Sequence, residues 1–227
     1  DVLAMLNVFG MPCADTPEIP TVTTDSTYAF TVDTAIVYAQ GLSHQSLNSA
    51  ASETMPLLLD AYVPVGAGTN RPAIVVIHGG GFTGGDKDAA YSDSRQSTVR
   101  TLLQANVAVA TINYSLLTSN PIDPDGVIRP LTDSARALQF VRHHAADFNI
   151  DPVRVAVWGS SAGAGTSLWL GTRDDLADPH STDPVLCHST RVVAAGALAT
   201  QATYNIPRWE EVLYDLIDEF VPTVVPS

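Results

Sequence analysis

The stretch VAVWGSSAGAG, residues 155 to 165, runs from an apolar segment straight into small residues. Its centre spells G-x-S-x-G over Gly159, Ser161 and Gly163. With a strand before it and a helix after it, such a sequence forms a sharp turn that exposes the serine hydroxyl at the C-terminal edge of a sheet. The flanking glycines let backbones pass closely and tolerate unusual dihedrals. The helix that follows brings partial positive charge and free N–H groups to the same spot. Ser160 falls at an x position of the pattern, so Ser161 is the expected nucleophile. A bare G-x-S-x-G can also be a packing turn, and the flanking elements decide between the two.

A second motif is HGGGF, His78 to Phe82, again directly after an apolar run. A serine attacking a carbonyl creates an oxyanion that needs preorganised donors, and losing one costs roughly 2.7–4 kcal/mol. Three successive glycines let backbone N–H groups point into a site with no side chain in the way. A phosphate loop would need G-x-x-x-x-G-K-[ST]; here Lys87 follows Asp86 and precedes Asp88, and the match fails.

The elements that would carry these motifs can be read along the chain. Residues 28–42 and 55–65 read as early strands, and 73–81 as a strand ending in glycines. The unbroken apolar character of 73–77 predicts burial on both faces, as in a parallel sheet. Residues 97–107 read as a helix and 107–117 as a strand. Leu131, Ala135, Leu138, Val141 and Ala145 recur at helical spacing over 131–148. A strand over 154–159, a helix over 162–172, a polar loop over 173–190 and a strand over 191–200 complete the alternation. The pattern predicts an open α/β sheet in one domain over 1–227, with an extended arm over about 1–27. Residues 201–227 hold an acidic amphipathic helix, read either as a cap whose Tyr204 or Trp209 lines a pocket or as a surface helix.

Composition narrows the partners. Hydrophobic residues make up 45% of the 227 and charged residues 15%, which suits a globular chain. The net charge of −13 repels phosphate backbones and anionic membranes, so nucleic acid is not an expected partner, whereas neutral substrates are. No apolar run reaches the roughly 18 residues of a membrane span. The opening residues, DVLAMLNVFGMPC, lack the basic start of a signal peptide. Cys13 and Cys187 are either bridged or two unpaired thiols. A bridge implies an oxidising compartment, secreted or periplasmic; unpaired thiols leave a cytoplasmic location open. Neither a ligand cluster nor a nucleotide fingerprint is present, so no metal and no organic cofactor is expected.

The two motifs together resemble those of the α/β-hydrolase superfamily, specifically the HGGG-type carboxylesterases related to hormone-sensitive lipase and the type-B enzymes. The resemblance rests on LDAYVPV (59–65), IHGGGFTGGDKD (77–88), VAVATINYSL (107–116) and DSARALQFVRHHAADFNIDPVRVAVWGSSAGAG (133–165). It implies an α/β-hydrolase fold with a mostly parallel sheet and flanking helices. It also implies hydrolysis of a small ester through an acyl-enzyme on Ser161. Gly80, Gly81 and the N–H of Ala162 match the oxyanion donors, while His78 and Gly79 look like shapers of that loop. The alternative is a non-catalytic binding or adhesion module on the same scaffold.

In that superfamily the serine is followed in chain order by an acid and then a histidine. Sixty-six residues follow Ser161, with one clear strand and two histidines, His180 and His188, both ahead of that strand. Asp174, Asp175, Asp178 and Asp183 precede the acid's place, and Asp215 and Asp218 have no histidine beyond them. His143 and His144 read as surface residues at a helix end, and His44 lies in a loop. The expectation is a fold whose C-terminal strands, base and acid come from elsewhere, a further segment or a second polypeptide pairing with the exposed sheet edge. The competing expectations are an unusual arrangement using His180 or His188, or no catalysis at all.

Overall fold

Arg71–Ile77 is buried at every one of its seven positions, the property its unbroken apolar sequence predicts. Ala73, Val75 and Ile77 enter one apolar cluster, while Ile74 and Val76 enter a second on the opposite side. Two-residue alternation of side chains thus feeds two cores from one strand. The computed structural model describes residues 29–42, 54–66, 68–92, 96–117 and 125–200. The expected N-terminal arm, Cys13, His44 and the cap or surface helix over 201–227, with Tyr204, Trp209, Asp215 and Asp218, lie outside the described residues.

The strands are β1 (Phe30–Leu42), β2 (Thr54–Pro64), β3 (Arg71–Ile77), β4 (Ala108–Ile112), β5 (Ile150–Ser160) and β6 (Ala195–Leu198), in the spatial order β1-β2-β4-β3-β5-β6. The β1–β2 and β2–β4 pairs are antiparallel, and β4–β3, β3–β5 and β5–β6 are parallel. Three helices cover the sheet: α1 (Gln96–Gln104), α2 (Ile128–His143) and α3 (Ala162–Thr172). Helix α1 packs Val99, Leu102 and Leu103 into the second cluster. On the other face, α2 contributes Ala135, Leu138 and Val141, and α3 contributes Ala162 and Leu170. The result is the expected α/β architecture, a mostly parallel sheet between helical layers.

Several boundaries differ from the sequence reading. Helix α2 starts at Ile128 rather than 131, because Pro130 sits in its first turn where a missing N–H costs nothing. It stops at His143 rather than 148, since Ala145 N–H reaches back only to Arg142 and Asn149 turns at φ 50°. Strand β4 ends at Ile112 rather than 117, and β6 keeps only Ala195–Leu198 of the 191–200 run. Helix α3 occupies 162–172 as read.

Position in this order matters for function. Chain segments leave β3 toward β4 on one side, while β5 lies on the other side of β3. A parallel sheet opens a crevice at the carboxyl ends of its strands where the order reverses. Both motifs fall there: HGGGF after β3, and Ser161 after β5.

Candidate active site

Ser161 has φ 53° and ψ −119° between the end of β5 and the start of α3. A non-glycine residue there costs on the order of 1–3 kcal/mol and persists only where its surroundings over-determine it. Those surroundings are visible: Ser161 N–H donates to Leu198 O on β6 (2.9 Å), and its carbonyl accepts from Gly165 N–H (3.1 Å). The close approach is made by glycine. A Cβ on Gly163 would lie 2.1 Å from Ile77 O, and one on Gly159 would lie 2.4 Å from Gly163 O. The N-terminus of α3 therefore seats directly on the carboxyl end of β3, where the HGGG segment begins.

The two motifs touch. A Cβ added to Gly79 would stand 3.2 Å from Ser161 Cβ and 2.8 Å from Ser160 O. Gly80 adopts φ 107° and Gly81 φ 62°, both in the region that favours glycine, and Phe82 follows at φ 64°. The turn is closed by Thr83 and Gly84 N–H groups, each donating to Gly80 O at 3.1 Å. Gly80 and Gly81 are exposed, whereas Phe82 is buried and anchors the loop tip in the core. Ala162 is buried at the first position of α3.

His78 is buried and stacks on Tyr114 with ring centroids 4.2 Å apart. Its Nδ1 lies 2.7 Å from Gly79 O. A carbonyl only accepts, so Nδ1 carries the proton and donates. Tyr114 Oη donates to His78 O (2.9 Å) and lies 3.3 Å from Gly79 O. His78 thus packs beneath the loop and bonds its backbone.

Residues beyond the loop dock it to the sheet. Lys87, the chain's single lysine, pairs with buried Asp60 on β2 (2.9 Å) and with Asp88 (2.7 Å). Burial alone would lower the Lys87 ammonium, but its bonds to Asp88 and Asp60 outweigh it and hold the group above the usual lysine range. Asn113 donates to Asp86 Oδ2 (2.9 Å) and its Oδ1 accepts from Lys87 N–H (2.5 Å). Ser115 N–H donates to Asp133 Oδ2 (2.9 Å), and burial pushes the Asp133 carboxyl up against the pull of that bond. Sequence reading assigned 113–117 to a strand and missed these roles. Three polar residues, Asn113, Tyr114 and Ser115, following an apolar run were the available signal.

The histidines considered as bases lie elsewhere. His188 Nε2 is 3.2 Å from His143 Nδ1, at the C-terminal end of α2. Its neighbour Arg142 donates to Pro152 O, near the start of β5. The regular pairing of β5 with β3 begins at Val155, and the five residues from there to Ser160 span roughly 16 Å at about 3.3 Å per strand residue. The pair therefore lies toward the opposite end of the strands from Ser161, which disfavours the alternative of His188 as base. His180 belongs to the same loop, between Leu176 and Leu186, whose carbonyls accept from Gln139 on α2. Asp175 and Asp183 are engaged in the same region, with Ser189 and Thr190 and with Arg136 respectively; Asp174 and Asp178 lie in that loop as well. Burial lowers His188, helped by the neighbouring His143 and Arg142 charges. Among the described residues no group of three or more His, Cys, Asp or Glu could hold a metal ion. No described helix is long and apolar enough to cross a membrane.

The BD-FAE family profile matches residues 59–192, more than half of the chain and inclusive of both motifs. The chain belongs to the BD-FAE family. The similarity to curated proteins is moderate. Carboxylesterase NlhH of Mycobacterium tuberculosis is 30% identical over 167 residues, 73% of this chain and 49% of that protein. The acetylcholinesterase of Gallus gallus is 33% identical over 153 residues, 66% of this chain and 19% of that protein. The BD-FAE chain thus spans half or less of the length of these relatives. A thermophilic esterase from Thermogutta terrifontis superposes with a TM-score of 0.57 at 22% identity, covering 80% of this chain and 60% of that one. That likeness shows the α/β-hydrolase fold.

Proposed function

We propose that the protein hydrolyses carboxylic esters through an acyl-enzyme on Ser161. The observation that carries this reading is the strained Ser161 (φ 53°) at the head of α3, packed against Gly79 of a loop whose Gly80 and Gly81 have positive φ. Ser161 Oγ attacks the ester carbonyl carbon and its proton passes to a base. The tetrahedral oxyanion is held by the N–H groups of Gly80, Gly81 and Ala162, with the N-terminal dipole of α3 behind them. Collapse expels the alcohol, which takes the proton back, and leaves the acyl group on Ser161. Water then attacks the same carbonyl, and carboxylate release regenerates the serine.

Membership of the BD-FAE family and curated relatives that are themselves carboxylesterases support this chemistry. The base and its carboxylate partner belong, in this proposal, to a further segment or a second polypeptide completing the crevice. A fluorophosphonate probe tests the nucleophile. Labelling at Ser161 that disappears in Ser161→Ala, together with turnover of short-acyl p-nitrophenyl esters by the parent, is the expected outcome. No labelling and no turnover would sink the hydrolase reading in favour of a binding module.

A further inference from the structure

A peptide unit is planar and trans, so its C=O and its N–H point in opposite directions. Fixing one carbonyl therefore aims the next residue's N–H. The Gly79 carbonyl shares a peptide plane with the Gly80 N–H, and it is held by His78 Nδ1 at 2.7 Å and faced by Tyr114 Oη at 3.3 Å. Tyr114 Oη also holds the preceding carbonyl, that of His78, at 2.9 Å. With both carbonyls turned toward Tyr114, the Gly80 N–H is turned away from it.

We propose that Tyr114 is a positioning residue for the oxyanion donor Gly80 N–H, acting through the His78 and Gly79 carbonyls. The inference rests on the ester-hydrolase reading of Ser161. Tyr114 is suited to the task because its own place is set from several directions. The ring is 3% exposed, stacked on His78 at 4.2 Å and tilted against Phe82 at 5.9 Å. The backbone on either side is pinned: Asn113 bonds Asp86 and Lys87, Ser115 N–H bonds Asp133, and Leu117 N–H donates to Phe82 O at 2.7 Å. Segment 113–117 is thus a mould for the loop, and the phenol is its contact with the peptide that matters for charge. Preorganisation of this kind counts because a donor already aimed needs no reorganisation as the oxyanion forms.

Tyr114→Phe in the intact protein keeps the stack and removes the hydroxyl. Fluorophosphonate labelling of Ser161 should slow roughly tenfold or more, since removing an oxyanion donor outright costs about a hundredfold or more. The value of kcat on p-nitrophenyl esters should fall by a similar factor with KM changed less than about twofold, the pattern of an interaction made in the transition state. Unchanged labelling, a fall expressed in KM alone, or a loss that merely follows the folded fraction would each overturn the role. Should Tyr114→Phe fail to fold, 3,5-difluorotyrosine at position 114 retains ring and hydroxyl but ionises at lower pH, after which it cannot donate. Labelling that declines at alkaline pH earlier than in the parent supports the proposal, and superimposable profiles overturn it. A parent protein that is never labelled sinks the hydrolase reading and this inference with it; equal labelling of parent and variant sinks the Tyr114 role alone.

Discussion

Gly163 holds the Ser161 turn against the sheet by having no side chain. Its virtual Cβ meets Ile77 O at 2.1 Å and His78 O at 2.7 Å, both backbone atoms that no rotamer change can move. Gly163→Ala must push α3 away from β3 and drag Ser161 from the Gly79–Gly81 loop. The expected cost is about 1–3 kcal/mol, the usual range for overpacking, read as a lower urea midpoint. Slower fluorophosphonate labelling should accompany it. An unchanged midpoint would mean that the junction has slack the geometry does not show. Ser161 and Gly163 were legible from one local pattern, because the requirement for a small residue lies within five consecutive positions. Tyr114 was not, since its partners are 35 and 36 residues away.

Among the elements, the 173–190 loop is held by a carboxylate as well as by the apolar contacts of Leu176 and Val185. Asp175 accepts from Ser189 Oγ (2.6 Å), Thr190 N–H (2.7 Å) and Ala177 N–H (3.1 Å). Burial pushes this carboxyl up, but the bonds from Ser189, Thr190 and Ala177 outweigh it and hold it down at about 2. A depressed carboxylate stabilises the fold above its unfolded value of about 4 and loses that contribution as pH falls through the folded one. Hydrogen exchange over 173–190 should therefore stay slow at pH 5 and quicken between about pH 4 and 2. Asp175→Asn should exchange faster at neutral pH and lose that acid step; a step that persists would assign it to another group. Element lengths show what was legible here. Helix α3 was read at its observed bounds, whereas β4 was overextended because Leu116 and Leu117 continue the apolar run past Asn113–Ser115, which leave the ladder to hold the loop.

At the scale of the whole molecule, the chain carries a net charge of −13. Given the proposed activity, neutral esters should be turned over with little salt dependence, while anionic esters should gain in kcat/KM as salt is added. Shortening the screening length from about 30 Å at 0.01 M to about 8 Å at 0.15 M should raise the anionic value by up to roughly tenfold. Equal salt response for a neutral and an anionic ester of the same alcohol would show that charge is not felt at the site. Both motifs follow the carboxyl ends of β3 and β5, while the His143–His188 pair lies at the C-terminal end of α2. That separation is a property of the whole fold.

The sequence by itself determined the strand-to-helix turn at Ser161, the Gly-rich loop, the α/β alternation and the double-sided burial of β3. Each of these depends on residue types within a few positions of one another, through periodicity, glycine and the strand-to-helix junction. Only the tertiary structure decided what those pieces do to each other: that Gly79 touches Ser161, that Asp60 meets Lys87, that Tyr114 grips the His78 and Gly79 carbonyls, and that His188 faces away. Those relations join residues 27 to 82 positions apart. They are fixed by the order of parallel strands across the sheet, which no local pattern encodes.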